Sequence, residues 1–169
     1  IFHTDATQAV GKMPINVQDM HIDMLSMSGH KLYAPKGVGA LYVRRRNPVV
    51  QLAIQMHGGG HERNMRSGTL NVPGIVALGK ACEIAAAEMA GESARMAALR
   101  DRLEKGLMGR LKYVKINGHP TERLANTSNL SFAYAEAESI FMRARDIAVS
   151  SGSACTSATL KHSYVLDAI

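Results

Sequence analysis

Lys31 follows an apolar run, His21 to Ser28 (HIDMLSMS), across two small residues, Ser28 and Gly29. A lysine in that setting is accessible yet close to a desolvating core, and partial burial favours the neutral amine that Schiff-base chemistry needs. Ser28 and His30 can donate hydrogen bonds to an anion such as a phosphate. An ordinary surface lysine in a turn has the same local sequence, so the loop alone is weak evidence. Asp5 ends the first apolar stretch, with Gln8 one helical turn later. A carboxylate at a strand tip can hold a protonated pyridine nitrogen and make a pyridoxal ring an electron sink. Its commoner use is as an N-cap, with Thr4 or Asp5 opening a turn through Ala9. Lys31 and Asp5 on two successive strand tips nevertheless form the pairing that a pyridoxal phosphate site requires.

Cys155 lies in SSGSACTSA (Ser150 to Ala158), where nearly every side chain is small. Such a segment cannot pack a core, and an accessible thiolate is the reactive form of cysteine. A polar loop with an incidental thiol is the plainer alternative, but unused exposed cysteines are a liability. Cys82 falls on the apolar stripe of a long helical pattern and is expected to be packed and inert. His57 and His61 have the spacing of a helical zinc pair, but three glycines separate them and no third ligand is recognisable, so no metal site is expected. Arg63, Arg66, Ser67 and Thr69 make a donor-rich loop that reads equally as a phosphate site or as a solvated turn.

The elements that must position these residues follow from period and punctuation. Ile1 to His3 is a short apolar lead into Thr4-Asp5, which reads as a strand tip followed by a helical turn, His21 to Ser28 reads as a buried strand, and Val38 to Arg44 as a third strand after the Pro35-Lys36-Gly37 turn. Ile75 to about Leu111 is helical. Leu78, Cys82, Ala85 and Met89 share one face, Met96, Leu99, Leu103 and Leu107 another, and Gly91 is expected to break or bend the helix. Beyond it, Tyr113 to Ile116, Ser128 to Tyr134 and Asp146 to Ser150 read as strands, separated by helix-like segments such as Glu136 to Arg145. The pattern is α/β, then a smaller α+β unit, with a boundary near residue 88.

The 169 residues are 46% hydrophobic and carry no apolar run near the roughly 20 residues of a membrane span, which excludes that class of membrane protein. Two cysteines cannot make a disulfide framework. The net charge of +6 invites a nucleic-acid reading, but Arg44 to Arg46 is the single tight basic run and Trp is absent, so a solvated basic face is the better account. The chain begins at Ile1 and stops at Ile169 inside a helix-like stretch, and is expected to be an internal fragment.

Four runs in order, HTDATQAVGK (His3 to Lys12), SGHKLYAPKGVGALYVRRR (Ser28 to Arg46), GGGHERNMRSGT (Gly58 to Thr69) and SSGSACTSA, resemble the cysteine desulfurases of the NifS/IscS type. The resemblance implies part of a fold-type I large domain over 1–88 and an incomplete small domain over 89–169 that carries a mobile cysteine loop. It implies an enzyme that uses pyridoxal phosphate, takes sulfur from L-cysteine, and releases alanine. By position, Lys31 matches the Schiff-base lysine, Asp5 the residue on the pyridine nitrogen, and Gln8 the one on the ring hydroxyl. Ser28 and His30 match phosphate ligands, and Thr69 the threonine that reaches the cofactor of the partner subunit in a homodimer. Cys155 matches the nucleophile that becomes a persulfide. Its loop resembles those that deliver sulfur to an iron–sulfur scaffold protein and to other acceptors, including tRNA thiolation systems, with at most a transient contact to a partner's cluster.

The resemblance further implies the bacterial cytoplasm, or the mitochondrial matrix, with no direct nucleic-acid or membrane partner. The chain departs from the family pattern at Ala34 (usually glycine), Lys161-His162 (usually Glu-Pro) and Asp167 (usually basic). The family's carboxylate-binding arginine and N-terminal third have no counterpart in these residues, so the isolated chain is expected to be inactive. A selenocysteine lyase or another class V enzyme would share Lys31 and Asp5, but Cys155 has no use in a transaminase. A non-catalytic iron–sulfur assembly partner is the alternative from a different class.

Overall fold

The apolar runs of the first half assemble into one sheet. β1 (His3–Asp5), β2 (Met24–Ser28) and β3 (Gly39–Val43) lie in that order in a computed structural model that describes residues 1–151 and 163–168. β1 and β2 are parallel, with Asp5 opposite Ser26, and β3 returns antiparallel with Gly39 opposite Ser28. A short link suffices for the antiparallel return, whereas a parallel neighbour would need a long crossover. β2 begins at Met24 rather than His21, because His21 adopts a left-handed φ of 52°.

After β1 the chain coils into a helical turn, with the Ala9 and Val10 amides donating to the Ala6 carbonyl and the Lys12 and Met13 amides to that of Ala9. Among the described residues, two small clusters make the core. Ala6, Ile22 and Leu25 pack with Val10, Ile15 and Val17, while Leu32, Ala34 and Leu78 pack with Val10, Ala81 and Ala85. The departure at Ala34 is thereby explained, since its methyl group lies in this second cluster and faces Gly29, where a Cβ would sit 3.3 Å away.

α1 (Val72–Arg110) starts three residues before the expected Ile75. The Asn71 side chain accepts the Gly74 amide, and Pro73 needs no donor in the first turn. It also runs unbroken through Gly91, whose cost of about 1 kcal/mol relative to alanine is too small to end a long helix. Two expected faces shift. Cys82 is exposed, not packed, because the face against Leu32 and Ala34 is carried by Leu78, Ala81 and Ala85. Leu99 and Leu103 are 49% and 53% exposed, while Glu104 is buried at 4%.

The chain divides into two compact units between Arg95 and Met96, inside α1, where the boundary read at residue 88 also falls. In the second unit β4 (Val114–Ile116) pairs antiparallel with β5 (Leu130–Phe132), and α2 spans Ala137–Arg143. The segment between β4 and β5 is held to α1 by charge. Arg123 donates from Nη1 and Nη2 to the two Glu104 oxygens at 2.6 Å each, Ser128 Oγ donates to Glu104 at 2.7 Å, and Arg100 donates to the Leu124 and Ala125 carbonyls. The Arg123 hydrogen bonds, opposed by burial, hold the Glu104 carboxyl below the usual range. Polar anchoring by α1 thus stands where Leu99 and Leu103 were expected, while Met96 and Leu107 of that stripe stay half-buried.

Asp146 to Ser150 is irregular chain, not the expected strand, and Ile147 and Val149 are exposed. The Ile147 amide donates to the Ala144 carbonyl, which turns the chain instead of extending it. Among the described residues, no helix is long and apolar enough to cross a membrane.

Candidate active site

β2 ends at Ser28 and the chain tightens into a 3-10 turn, Gly29–Leu32, which carries His30 and Lys31. Glycine is required where the strand turns. The Gly29 amide donates to the Val38 carbonyl at 2.8 Å, and a Cβ at Gly29 would lie 2.9 Å from that same oxygen. Tyr33, at φ 64°, closes the turn, and the Tyr33 and Ala34 amides return to the His30 and Gly29 carbonyls. Leu32 is buried in the second cluster and anchors the turn, leaving Lys31 half-buried and His30 exposed.

Asp5 ends β1, the parallel neighbour of β2, so Asp5 and the Lys31 turn lie beyond the carboxyl ends of adjacent parallel strands. Ligands of α/β sheets bind at that edge. The Thr7 hydroxyl, then the Thr7 amide at 2.9 Å from Oδ1, hold the Asp5 carboxyl below the usual carboxylate range. Asp5 therefore caps the turn after β1, as the plainer reading anticipated, and also presents an ionised carboxylate at the sheet edge. One turn on, Gln8 Oε1 accepts a hydrogen bond from Lys12 Nζ at 2.9 Å.

Ser28 Oγ lies 2.7 Å from His30 Nδ1, so the two expected phosphate ligands are linked to each other. This donor set suits pyridoxal phosphate. It combines a half-buried lysine for the aldehyde, an anion for the pyridinium, and hydroxyl, imidazole and amide donors for phosphate and ring oxygens.

Lys12 is the residue that the sequence reading missed. Burial, and next the Lys31 ammonium, push the Lys12 ammonium below the usual lysine range, which places the two amines in each other's field. The available signal was the spacing of Gln8 and Lys12, four apart on a helical turn, which puts them on one face.

Thr69 is exposed and stands outside this group, just after a loop stitched by Ser67 Oγ, which accepts the Gly60 amide, and by His61 Nδ1, which accepts the Gly68 amide. That stitching gives His61 a structural use. Cys155 lies outside the described residues.

The Arg44 to Arg46 run divides in the structure. Arg44 is 5% exposed, pairs through Nε with Asp23 Oδ1 at 3.0 Å, and donates to the Ile22 and Val17 carbonyls, whereas Arg45 and Arg46 are exposed along an open cleft with Arg63.

The family model for class-V aminotransferases matches residues 1–167. The chain is 57% identical over all 169 residues to the cysteine desulfurase IscS of Anaeromyxobacter sp. (strain Fw109-5), covering 42% of that protein. It is 59% identical to the IscS of Histophilus somni (strain 2336), covering 41%. Among solved structures, a NifS-like protein from Rickettsia africae ESF-5 aligns with a TM-score of 0.80 at 31% identity, over 90% of this chain and 42% of that one. DndA from Streptomyces lividans aligns with a TM-score of 0.69 at 40% identity, over 85% of this chain and 40% of that one. The chain thus spans about 42% of the length of the curated relatives it matches.

Proposed function

The chain belongs to the class-V aminotransferase family, and from that premise we propose that it works as part of a cysteine desulfurase of its relatives' length. The reaction converts L-cysteine to L-alanine and leaves the sulfur on the enzyme as a persulfide. The observation that carries this reading is the placement of Lys31 and Asp5 beyond the carboxyl ends of adjacent parallel strands. Pyridoxal phosphate, when bound, supplies an electron sink for negative charge at the substrate Cα.

The chain's own residues do the rest. Lys31 would hold the aldehyde end of the cofactor, and its amine is the group that would take and return the Cα proton. Asp5, kept ionised by Thr7, holds the pyridine nitrogen protonated. Ser28 and His30 would hold the phosphate, and Gln8 would donate to the ring oxygen. The Cys155 thiolate attacks the substrate sulfur, forming a sulfur–sulfur bond as the carbon–sulfur bond breaks. The electron pair of the broken bond stays with the carbon fragment, which is protonated to alanine.

At the finer level, Thr69 reaches the phosphate of the other subunit in a homodimer, and the persulfide is handed to an iron–sulfur scaffold protein and other acceptors, including those of tRNA thiolation. The setting is the bacterial cytoplasm, or the mitochondrial matrix in a eukaryote. Residues 1–88 contribute to the large cofactor domain, and residues 89–169 to the small domain.

The test loads the full-length protein with pyridoxal phosphate, adds L-cysteine, quantifies alanine and maps added sulfur by peptide mass spectrometry. Alanine with one extra sulfur on Cys155, lost in Cys155→Ser, is the expected result. Turnover with Cys155 unmodified would replace the reading with a lyase or transaminase. A cofactor not reducible onto Lys31 would end the enzyme reading.

A further inference from the structure

Lys12 is fixed at both ends. Its carbonyl accepts a hydrogen bond from Ser93 Oγ of α1 at 2.8 Å, and its ammonium donates to Gln8 Oε1 at 2.9 Å. The neighbouring Gly11 packs against Leu32 of the turn that carries Lys31, and a Cβ at Gly11 would overlap Leu32 Cδ2. The Gln8–Lys12 turn and the Lys31 turn are therefore seated on each other by contact. Lys31 also bears on the Lys12 charge, as noted above.

An ammonium is a donor only, so the bond from Lys12 must take the carbonyl oxygen of the Gln8 carboxamide. That leaves the Nε2 group as the end not engaged by Lys12, and a donor selects a ligand atom that accepts. We propose that Lys12 is a positioning residue, which locks the Gln8 carboxamide with its NH2 toward the ligand and so matches it to an anionic ring oxygen. Without the lock the carboxamide can turn its own oxygen outward, where it would repel that anion.

The inference rests on the pyridoxal phosphate reading, and the test separates the two. Apo full-length protein is titrated with pyridoxal phosphate, reading both the dissociation constant and the absorbance maximum of the bound cofactor, in a cycle of Lys12→Met, Gln8→Ala and the double variant. Lys12→Met should weaken binding about three- to tenfold, the size of one net hydrogen bond, and shift the cofactor band. Lys12→Arg, which keeps a donor in reach of Gln8, should restore both. In the Gln8→Ala background, Lys12→Met should change each by much less, leaving only the effect of the lost Lys12 charge.

An unaltered Lys12→Met protein overturns the proposal, as does a loss that is equal in both backgrounds. So does unfolding of Lys12→Met where Gln8→Ala folds, because the role of Lys12 would then not run through Gln8. Failure of the parent protein to bind the cofactor at all would instead remove the underlying reading.

Discussion

Arg44 donates from Nη2 to the Ile22 and Val17 carbonyls and pairs with Asp23 beneath the sheet edge, while Arg45 beside it stays in solvent. A planar fork of donors is what two carbonyls and a carboxylate require, and lysine cannot reproduce it. Truncation would take the cation from the Asp23 carboxylate, leaving it the Phe2 amide, and the guanidinium donors from the buried Ile22 carbonyl. Arg44→Ala should therefore cost about 3–5 kcal/mol and Arg45→Ala within about 0.5 kcal/mol, read by denaturant unfolding of the full-length protein. The sequence shows three equivalent arginines at this place. Pairing with β2's lead-in continues one residue past β3, the Arg44 amide donating to the Asp23 carbonyl, and Arg44 alone of the three is buried, which is why composition alone could not tell the structural arginine from its neighbours.

At the scale of elements, the site depends on how closely the turn after β1 approaches the 3-10 turn after β2. Gly11 makes that approach with φ 75°, and a Cβ there meets Leu32 Cδ2 and, at 3.2 Å, Ala85 Cβ. Both the left-handed backbone and the contact disfavour any side chain. Gly11→Ala should cost about 1–3 kcal/mol in thermal melting and also weaken pyridoxal phosphate binding, because the buried Leu32 side chain that must shift to make room anchors the turn that holds Lys31. Gly91→Ala is the matching control. A Cβ there meets nothing within 4 Å, so the helix should gain up to about 1 kcal/mol. The two glycines look alike in the sequence, and it is tertiary contact that separates them.

For the molecule as a whole, the described residues of the second unit are joined by a buried ionic centre and include no buried apolar cluster. Glu104 is held below the usual carboxylate range chiefly by the Arg123 hydrogen bonds. A depressed carboxylate contributes stability that is present above its unfolded value, about 4.3, and lost as pH falls through its folded value. The segment between β4 and β5 should thus become open to pepsin only at more acid pH, whereas in Glu104→Gln it should be cut even above the ordinary carboxylate range. Cleavage that does not depend on Glu104 would show that other contacts hold it. Helical periodicity offered Leu99 and Leu103 as the inward residues of this region. It misled because the loop's own carbonyls and Arg123 compete for α1 and favour its charged face.

The sequence by itself determined a good deal: three apolar runs that became β1 to β3, a long helix, and the order of four motifs that marks the family. It could do so because period, punctuation and residue type are local properties, written within a few positions of where they act. Only the tertiary structure decided that Asp5 and Lys31 share one sheet edge, that Ala34 belongs in the core, that Cys82 is outside it, and that Lys12 joins Gln8 beside Lys31. Each of these is a matter of which surfaces meet, set by strand pairing, steric fit at glycines and the satisfaction of buried polar groups between segments far apart in the chain.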